Sequence, residues 1–465
     1  MMPTGGGQSR AQALTTLEGI IHQQKTQPMI KSLIEEARAD TTLDTWQKTN
    51  LELINKQYTN ATLIPNDLIQ AHTKASMISQ QQWRTLRPKN DWKSFLPYLT
   101  ETFKLTKEIA EIRAHHWQQE PYDFLIDQYS PGFNQANIEP LFSTLEATLP
   151  DLINQITASQ PDTISPKGPF NVEEQRQLNL AAMRLLQFDF NHGRLDTTYH
   201  PFCGGTPEDT RITTRYDENN FLSSLMAVCH ETGHGRYEQG LPTNWRCQPV
   251  GEAFGMAVHE SQSLLIEMQI CRSHEFIQAL LPEIRKHLGE QAALSVDNLS
   301  QLSTEVRPSL IRVDADEVTY PLHVLLRYKL EKQLMNNQIQ VRDLPDAWNA
   351  LMQQYLNLNT ENNDQDGVMQ DVHWPSGCFG YFPAYTLGRL IAAQLFVAIE
   401  KQHPDIMQGV ALGKLNTLFD WLQTHIYNKA HALDIDTLLI QATGKKLSAD
   451  DFIQHLHQRY LPDIM

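Results

Sequence analysis

Cysteine is scarce in this chain. The five cysteines, Cys203, Cys229, Cys247, Cys271 and Cys378, form no CxxC pair. That leaves no support for a cysteine zinc site or a disulfide framework, and a reducing cytoplasm is the expected compartment. Glycine is also sparse: 22 of 465 residues, below the roughly 7% average, which tilts the reading towards helix. Positive charge is short, with 38 Lys and Arg against 54 Asp and Glu and a formal charge of −16. Nucleic acid and anionic membranes both need a cationic surface, so neither is an expected partner. No run approaches roughly 18 consecutive apolar residues, which excludes a spanning helix. The start, residues 1–12, has no apolar signal core and contains Gly5-Gly6-Gly7. It reads as a flexible N-terminus and not as a targeting segment.

What is present is core material. Apolar residues make up 41% and charged residues 20%, which fits a packed chain and not a disordered acidic one. Length alone suggests about three domains, with one large helical domain still open. Amphipathic stripes dominate, as at Leu141, Leu145 and Leu149. They break at Pro65-Asn66-Asp67, at Ser130-Pro131-Gly132 and across the proline-rich stretch 160–169. The alternating run from Thr210 to Tyr216 is the best strand candidate. Residues 360–384 form a second non-helical stretch, rich in Asn, Asp, Gly and aromatics, and loops this long are usually functional.

Between these stretches stands His230-Glu231-Thr232-Gly233-His234, an HExxH motif. Asn219 or Asn220 can cap its helix, and Gly240 with Pro242 can end it. Leu222, Met226, His230 and His234 form one i, i+4 row, so both imidazoles leave one face and can reach a single zinc ion at ~2.0–2.1 Å. Glu231 lies about 100° around the helix and can take a proton from a metal-bound water. Chance supplies roughly 0.04 such motifs in a chain of this composition. A catalytic zinc needs a third protein ligand and an open position. The metzincin pattern would need a histidine where Gly240 stands, so that class is excluded. Downstream, Glu252 to Cys271 reads as an apolar helix interrupted by His259-Glu260-Ser261-Gln262-Ser263. Polar groups inside a buried helix are costly unless paired or metal-bound, which favours Glu260, with Glu252 and His259 as fallbacks.

At these residues the chain resembles the carboxypeptidase Taq family of zinc metallocarboxypeptidases. The family's HPF motif stands as His200-Pro201-Phe202, and its DxRxT motif as Asp209-Thr210-Arg211-Ile212-Thr213. Its HES motif is His259-Glu260-Ser261, and IRxxAD is Ile311-Arg312-Val313-Asp314-Ala315-Asp316. GxxQDxHW runs from Gly367 to Trp374. All occur in family order. The resemblance implies a mainly α metallopeptidase, with residues 13–465 as one catalytic domain of two helical halves around a deep central groove and a small β-sheet beside the HExxH helix. It implies a homodimer that removes C-terminal residues from peptides with broad tolerance, using Zn2+, for which Co2+ can substitute.

On this reading His230, His234 and Glu260 hold the metal and Glu231 is the general base. His373 and one of Tyr381 or Tyr385 donate to the oxyanion, by analogy with related gluzincins. Arg211 and Arg312 are candidates for gripping the substrate's terminal carboxylate, with His200 helping to block the end of the groove. Each arginine has a competing reading as the partner of a structural acid such as Asp209, Asp314 or Asp316. Asp371 or Asp316 could orient a ligand histidine. Cys229 and the His115-His116 pair read as packing or surface. Two rival functions remain: an oligopeptidase with the same metal site, and a helical peptide-binding scaffold with a non-catalytic metal.

Overall fold

The structure, a computed structural model, describes residues 6–198 and 201–462. It is 69% helical with one three-stranded sheet, so the mainly α expectation holds. Among the described residues no helix is long and apolar enough to cross a membrane. The chain divides into two compact units. The first comprises Met1–Pro150, Pro308–Ala315 and Thr319–Pro383, and the second Asp151–Arg307, Asp316–Val318 and Ala384–Met465.

The first unit is helical apart from one long loop. Helix Thr45–Thr62 opens on a capping box, with Asp44 Oδ1 accepting from Gln47 N and Gln47 Oε1 accepting from Asp44 N. Helix Trp92–Trp117 buries Phe95, Leu99, Leu105, Ile109 and Ala110 along one stripe, as its sequence period requires. The expected turns lie where the sequence placed them, between helices ending at Thr62 and starting at Asn66, and between those ending at Tyr129 and starting at Gln135. The N-terminal expectation needs correction. Helix Gly7–Lys25 begins inside the segment read as flexible, and Ala11 is buried in it. Packing there overrides the poor helix propensity of glycine. The one helical element in the loop 357–382 is the 3-10 turn Trp374–Ser376. Gln370 braces it: its Nε2 donates to the carbonyls of Leu310 and Asp366 (2.9 and 2.7 Å), and its Oε1 accepts from Arg312 N at 2.8 Å.

The second unit carries the sheet, β1 (Gly193–Thr197), β2 (Phe202–Thr206) and β3 (Asp209–Thr214). The central strand β3 runs parallel to β1, pairing Leu195 with Ile212, and antiparallel to β2, pairing Gly204 with Arg211. Ile212 and Leu195 point inward and join Met183, Phe188 and Val228 in one apolar cluster. Val228 lies on the helix Phe221–Gly240, so this cluster fixes the sheet beside the HExxH segment. Asn220 caps that helix, its Oδ1 accepting from Ser223 N at 3.2 Å.

The following helix begins later than its apolar pattern suggests, at Gly255, and its α form stops at Leu264. Residues Leu265–Cys271 then form a π-helix, every residue of which is buried. Helix Gly255–Leu264 packs backbone to backbone on the HExxH helix. A Cβ on Gly233 would stand 2.6 Å from both the carbonyl oxygen of Gln262 and the Cα of Ser263. The glycine within the motif therefore permits the approach that brings Glu260 to the histidines.

Candidate metal centre

His230 and His234, one turn apart, project from the same face with ring centroids 5.0 Å apart. Glu260 reaches them from the neighbouring helix, its Oε2 lying 3.7 Å from His230 Nε2 and 3.3 Å from His234 Nε2. One ligand atom from each of the three lies within 4.8 Å of the other two. Glu252 lies exposed, outside this group.

The far side of each imidazole is held, and differently. His230 Nδ1 donates to Glu267 Oε2 at 2.9 Å, while Glu267 Oε1 accepts from Arg272 Nη2 and Nε at 2.6 and 3.1 Å. His234 Nδ1 lies 2.6 Å from His259 Nδ1, and His259 Nε2 lies 2.7 Å from Glu238 Oε1. One proton arrangement satisfies this second chain. His259 donates to Glu238 and accepts from His234, which leaves the Nε2 lone pair of His234 facing Glu260. His259, a fallback ligand in the sequence reading, thus stands behind a ligand. The orienting role expected of Asp371 or Asp316 falls to Glu267 and His259. Asp316 instead accepts from the backbone N–H groups of Arg307 and Val318.

The group attracts positive charge. Burial works against a proton on His230, but Glu260 and Glu267 outweigh it and raise the imidazole to about 9. Burial pushes His234 down to about 4. Burial alone would raise Glu260, yet His230 and His234 hold its carboxyl below the usual range. Glu267, also penalised by burial, is brought to about 2 by Arg272 and His230. Two imidazole lone pairs and a carboxylate with no lysine or arginine bonded to it among the described contacts are the donor set of a divalent ion such as zinc, and the residues fit one. Glu231, next along the helix, is buried, and that burial pushes its carboxyl up to about 7.

The remaining sequence candidates are distributed as follows. Arg211 lies exposed on β3, with Nε and Nη2 donating to Asp209 at 3.0 and 2.7 Å. Arg312 is buried, with Nε and Nη2 donating to Asp371 Oδ1 at 3.1 and 2.8 Å and Nη1 donating to the Tyr320 hydroxyl. Each arginine therefore has an acidic partner, as in the competing reading: Asp209 for Arg211 and Asp371 for Arg312. Arg327, which the sequence did not single out, donates through Nε to Asp371 Oδ2 at 2.7 Å. Burial disfavours the Asp371 charge, but Arg312 and Arg327 hold its carboxyl far below the usual range. His373 is pushed down to about 3 by burial and by Arg312, so it is neutral at pH 7. Its ring lies 5.2 Å from Tyr381, which packs edge-on against Tyr129. Tyr385 belongs to the other unit, in the first turn of helix Pro383–Gln402. One turn further on, the Arg389 charge helps to hold Glu260 ionised. His200 lies outside the described residues. Cys229 is fully buried, and His115 and His116 are exposed, as read.

The family model described as carboxypeptidase Taq (M32) metallopeptidase matches residues 1–460. The chain belongs to this family. It is 36% identical to thermostable carboxypeptidase 1 of Thermus thermophilus over 473 residues, covering 99% of this chain and 92% of that one. Carboxypeptidase 1 of Bacillus subtilis is 35% identical, with 98% and 92% covered. Among solved structures, Trypanosoma cruzi metallocarboxypeptidase 1 superposes with a TM-score of 0.95 at 39% identity, covering 99% of this chain and 94% of that one. Family membership makes this chain a metallocarboxypeptidase, and its HExxH helix with Glu260 supplies a group able to bind the metal.

Of the residues the sequence reading missed, Glu267 left a trace. It follows Glu260 by seven residues, the spacing at which a regular α-helix returns to nearly the same face.

Proposed function

We propose that this chain is a zinc-dependent carboxypeptidase of broad specificity, cytoplasmic and homodimeric, acting on peptides with a free C-terminus, and that Co2+ can replace Zn2+. The observation that carries the reading is the convergence of His230 Nε2, His234 Nε2 and Glu260 Oε2 beside a buried Glu231 carboxyl at about 7. His230, His234 and Glu260 would hold the ion. When bound, it lowers the pKa of water towards ~7 and polarises the scissile carbonyl.

The chain's own groups do the rest. Glu231 accepts the proton of the attacking water and returns it to the departing amine nitrogen, so one water adds across the last peptide bond. A carboxyl near neutrality suits both halves of that task. His373, kept neutral, offers an N–H and not a charge, and with Tyr381 or Tyr385 it donates to the oxyanion. Arg211 and Arg312 recognise the terminal carboxylate, with His200 closing the end of the substrate site. Arg211 is the more accessible of the two, since Arg312 is committed to Asp371 and Tyr320. The five cysteines, none in a disulfide, agree with a reducing compartment.

The test is mass spectrometry of one peptide digested in free and amidated forms, with metal analysis of the protein. Stepwise loss from the free C-terminus, most of it abolished by amidation, is expected. Internal cleavage of both forms at equal rates would favour the oligopeptidase instead.

A further inference from the structure

Glu331 is fully buried and ionisable, and the proposed chemistry gives it no part. It projects from helix Tyr320–Met335. Its Oε1 accepts from Trp374 Nε1 at 2.7 Å. Its Oε2 accepts from Gly380 N at 2.9 Å and from the Tyr122 hydroxyl at 2.8 Å. Trp374 and Gly380 bracket one short loop, and the residues just outside the bracket are His373 and Tyr381. Inside it, Trp374 stacks on Phe379 at 6.1 Å with the rings 5° from parallel. Gly380 has φ +84°, and a Cβ there would stand 2.6 Å from the carbonyl carbon of Leu125. The loop backbone is thus flush against helix Pro121–Tyr129, which supplies Tyr122.

We propose that Glu331 is a positioning residue whose buried carboxylate ties together both ends of the 374–380 loop and so sets where His373 and Tyr381 stand during peptide hydrolysis. The inference rests on the reading given above, in which His373 and one of Tyr381 or Tyr385 donate to the oxyanion.

A carboxylate is needed at this point because all three partners donate, and the indole and backbone N–H groups cannot accept. A glutamine would offer one acceptor oxygen and turn an NH2 towards one of these donors. Burial pushes Glu331 up to about 7 even though Trp374, Gly380, Tyr122 and Arg327 all favour its charge. Its ionisable neighbours are Arg327 on its own helix, Tyr122 and Tyr129 on helix Pro121–Tyr129, and Cys378 in the loop. Of these only Arg327 is charged at neutral pH, and it is already bonded to Asp371.

The experiment is a double-mutant cycle on the metal-loaded full chain, with Glu331→Gln in the native and His373→Ala backgrounds. It is assayed on a peptide with a free C-terminus, with metal content and thermal midpoint measured for each variant. The Trp374 indole N–H resonance is followed in 15N-tryptophan-labelled protein and assigned with Trp374→Phe. The expected result is a fall in kcat of about 10²-fold with little change in KM or metal content, a displaced Trp374 resonance, and a loss below about tenfold in the His373→Ala background. Wild-type kcat in Glu331→Gln, or the same fold loss in both backgrounds, would overturn the proposal. Should Glu331→Gln not fold, Tyr122→Phe, which removes one donor, takes its place with the same non-additivity expected and the same overturning result. An inactive wild type would sink the carboxypeptidase reading itself, whereas an active wild type with additive losses sinks only the role of Glu331.

Discussion

The cluster at His230, His234 and Glu260 and the cluster at Arg312, Arg327 and Asp371 are both buried and both charged, but they are balanced in opposite ways. Asp371 has two guanidiniums around it, and its two oxygens accept from three of their nitrogens. Each charged group of that cluster has an opposite charge from the chain itself beside it. At the other, two imidazole nitrogens and a carboxylate oxygen face one another with no lysine or arginine bonded to them among the described contacts, and the place where they meet draws a proton onto His230. Buried ion pairs are expensive to break, and buried lone pairs are expensive to leave facing each other. A cluster of the first kind specifies shape, and one of the second kind recruits a cation.

This difference can be sharpened by mutation. The largest effect concerns Glu231, beside the recruiting cluster. Glu231→Gln is expected to keep its metal, measured by elemental analysis, and to lose about 10²–10⁴-fold in kcat; substantial remaining turnover contradicts the general-base role. Next come two carboxylate removals with opposite signatures. Glu260→Gln should bring metal content close to background with a modest change in the stability of the metal-free protein. Asp371→Asn should leave metal content intact but lower unfolding free energy by roughly 3–5 kcal/mol in denaturant titration, because two buried arginines lose their counter-charge. Matching behaviour of the two variants would erase the distinction.

His259→Ala should weaken metal affinity about 10–100-fold in a chelator competition while leaving the ligands in place. An unchanged affinity would make the Glu238–His259–His234 chain irrelevant to the metal. The smallest effect is in acid. Asp371 ionises below its unfolded value, so its contribution to stability is complete above about pH 4 and is lost as pH falls through the folded value. Metal-free wild type should therefore lose stability below about pH 4 more steeply than Asp371→Asn, measured by melting across that range.

What the sequence disclosed follows from locality. The HExxH spacing, the Asn220 cap, the helix end at Gly240 and the alternating strand around Ile212 are each set by a few neighbouring residues, and each stands in the structure as read. Glu260 was legible because a polar run inside an apolar helix asks for a partner. The Arg312–Asp371–Arg327 cluster was not, because its members are 15 to 59 residues apart and only the fold joins them. The three acceptances of Glu331 were hidden for the same reason. The N-terminal helix was misread because three glycines argue for looseness, while the packing that orders Gly7–Lys25 comes from elsewhere in its unit.

The π-helix at Leu265–Cys271 has a consequence for how this site tolerates insertions and deletions. A wide turn is what an α-helix becomes when it absorbs an additional residue without shifting its ends. Excising one residue there would tighten the wide turn to an ordinary α turn while the helix on either side keeps its place. Only the spacing within the turn would change, and with it the five-residue separation at which Glu267 and Arg272 pair beneath His230. The support of that imidazole thus depends on the length of the turn as well as on the identity of its residues.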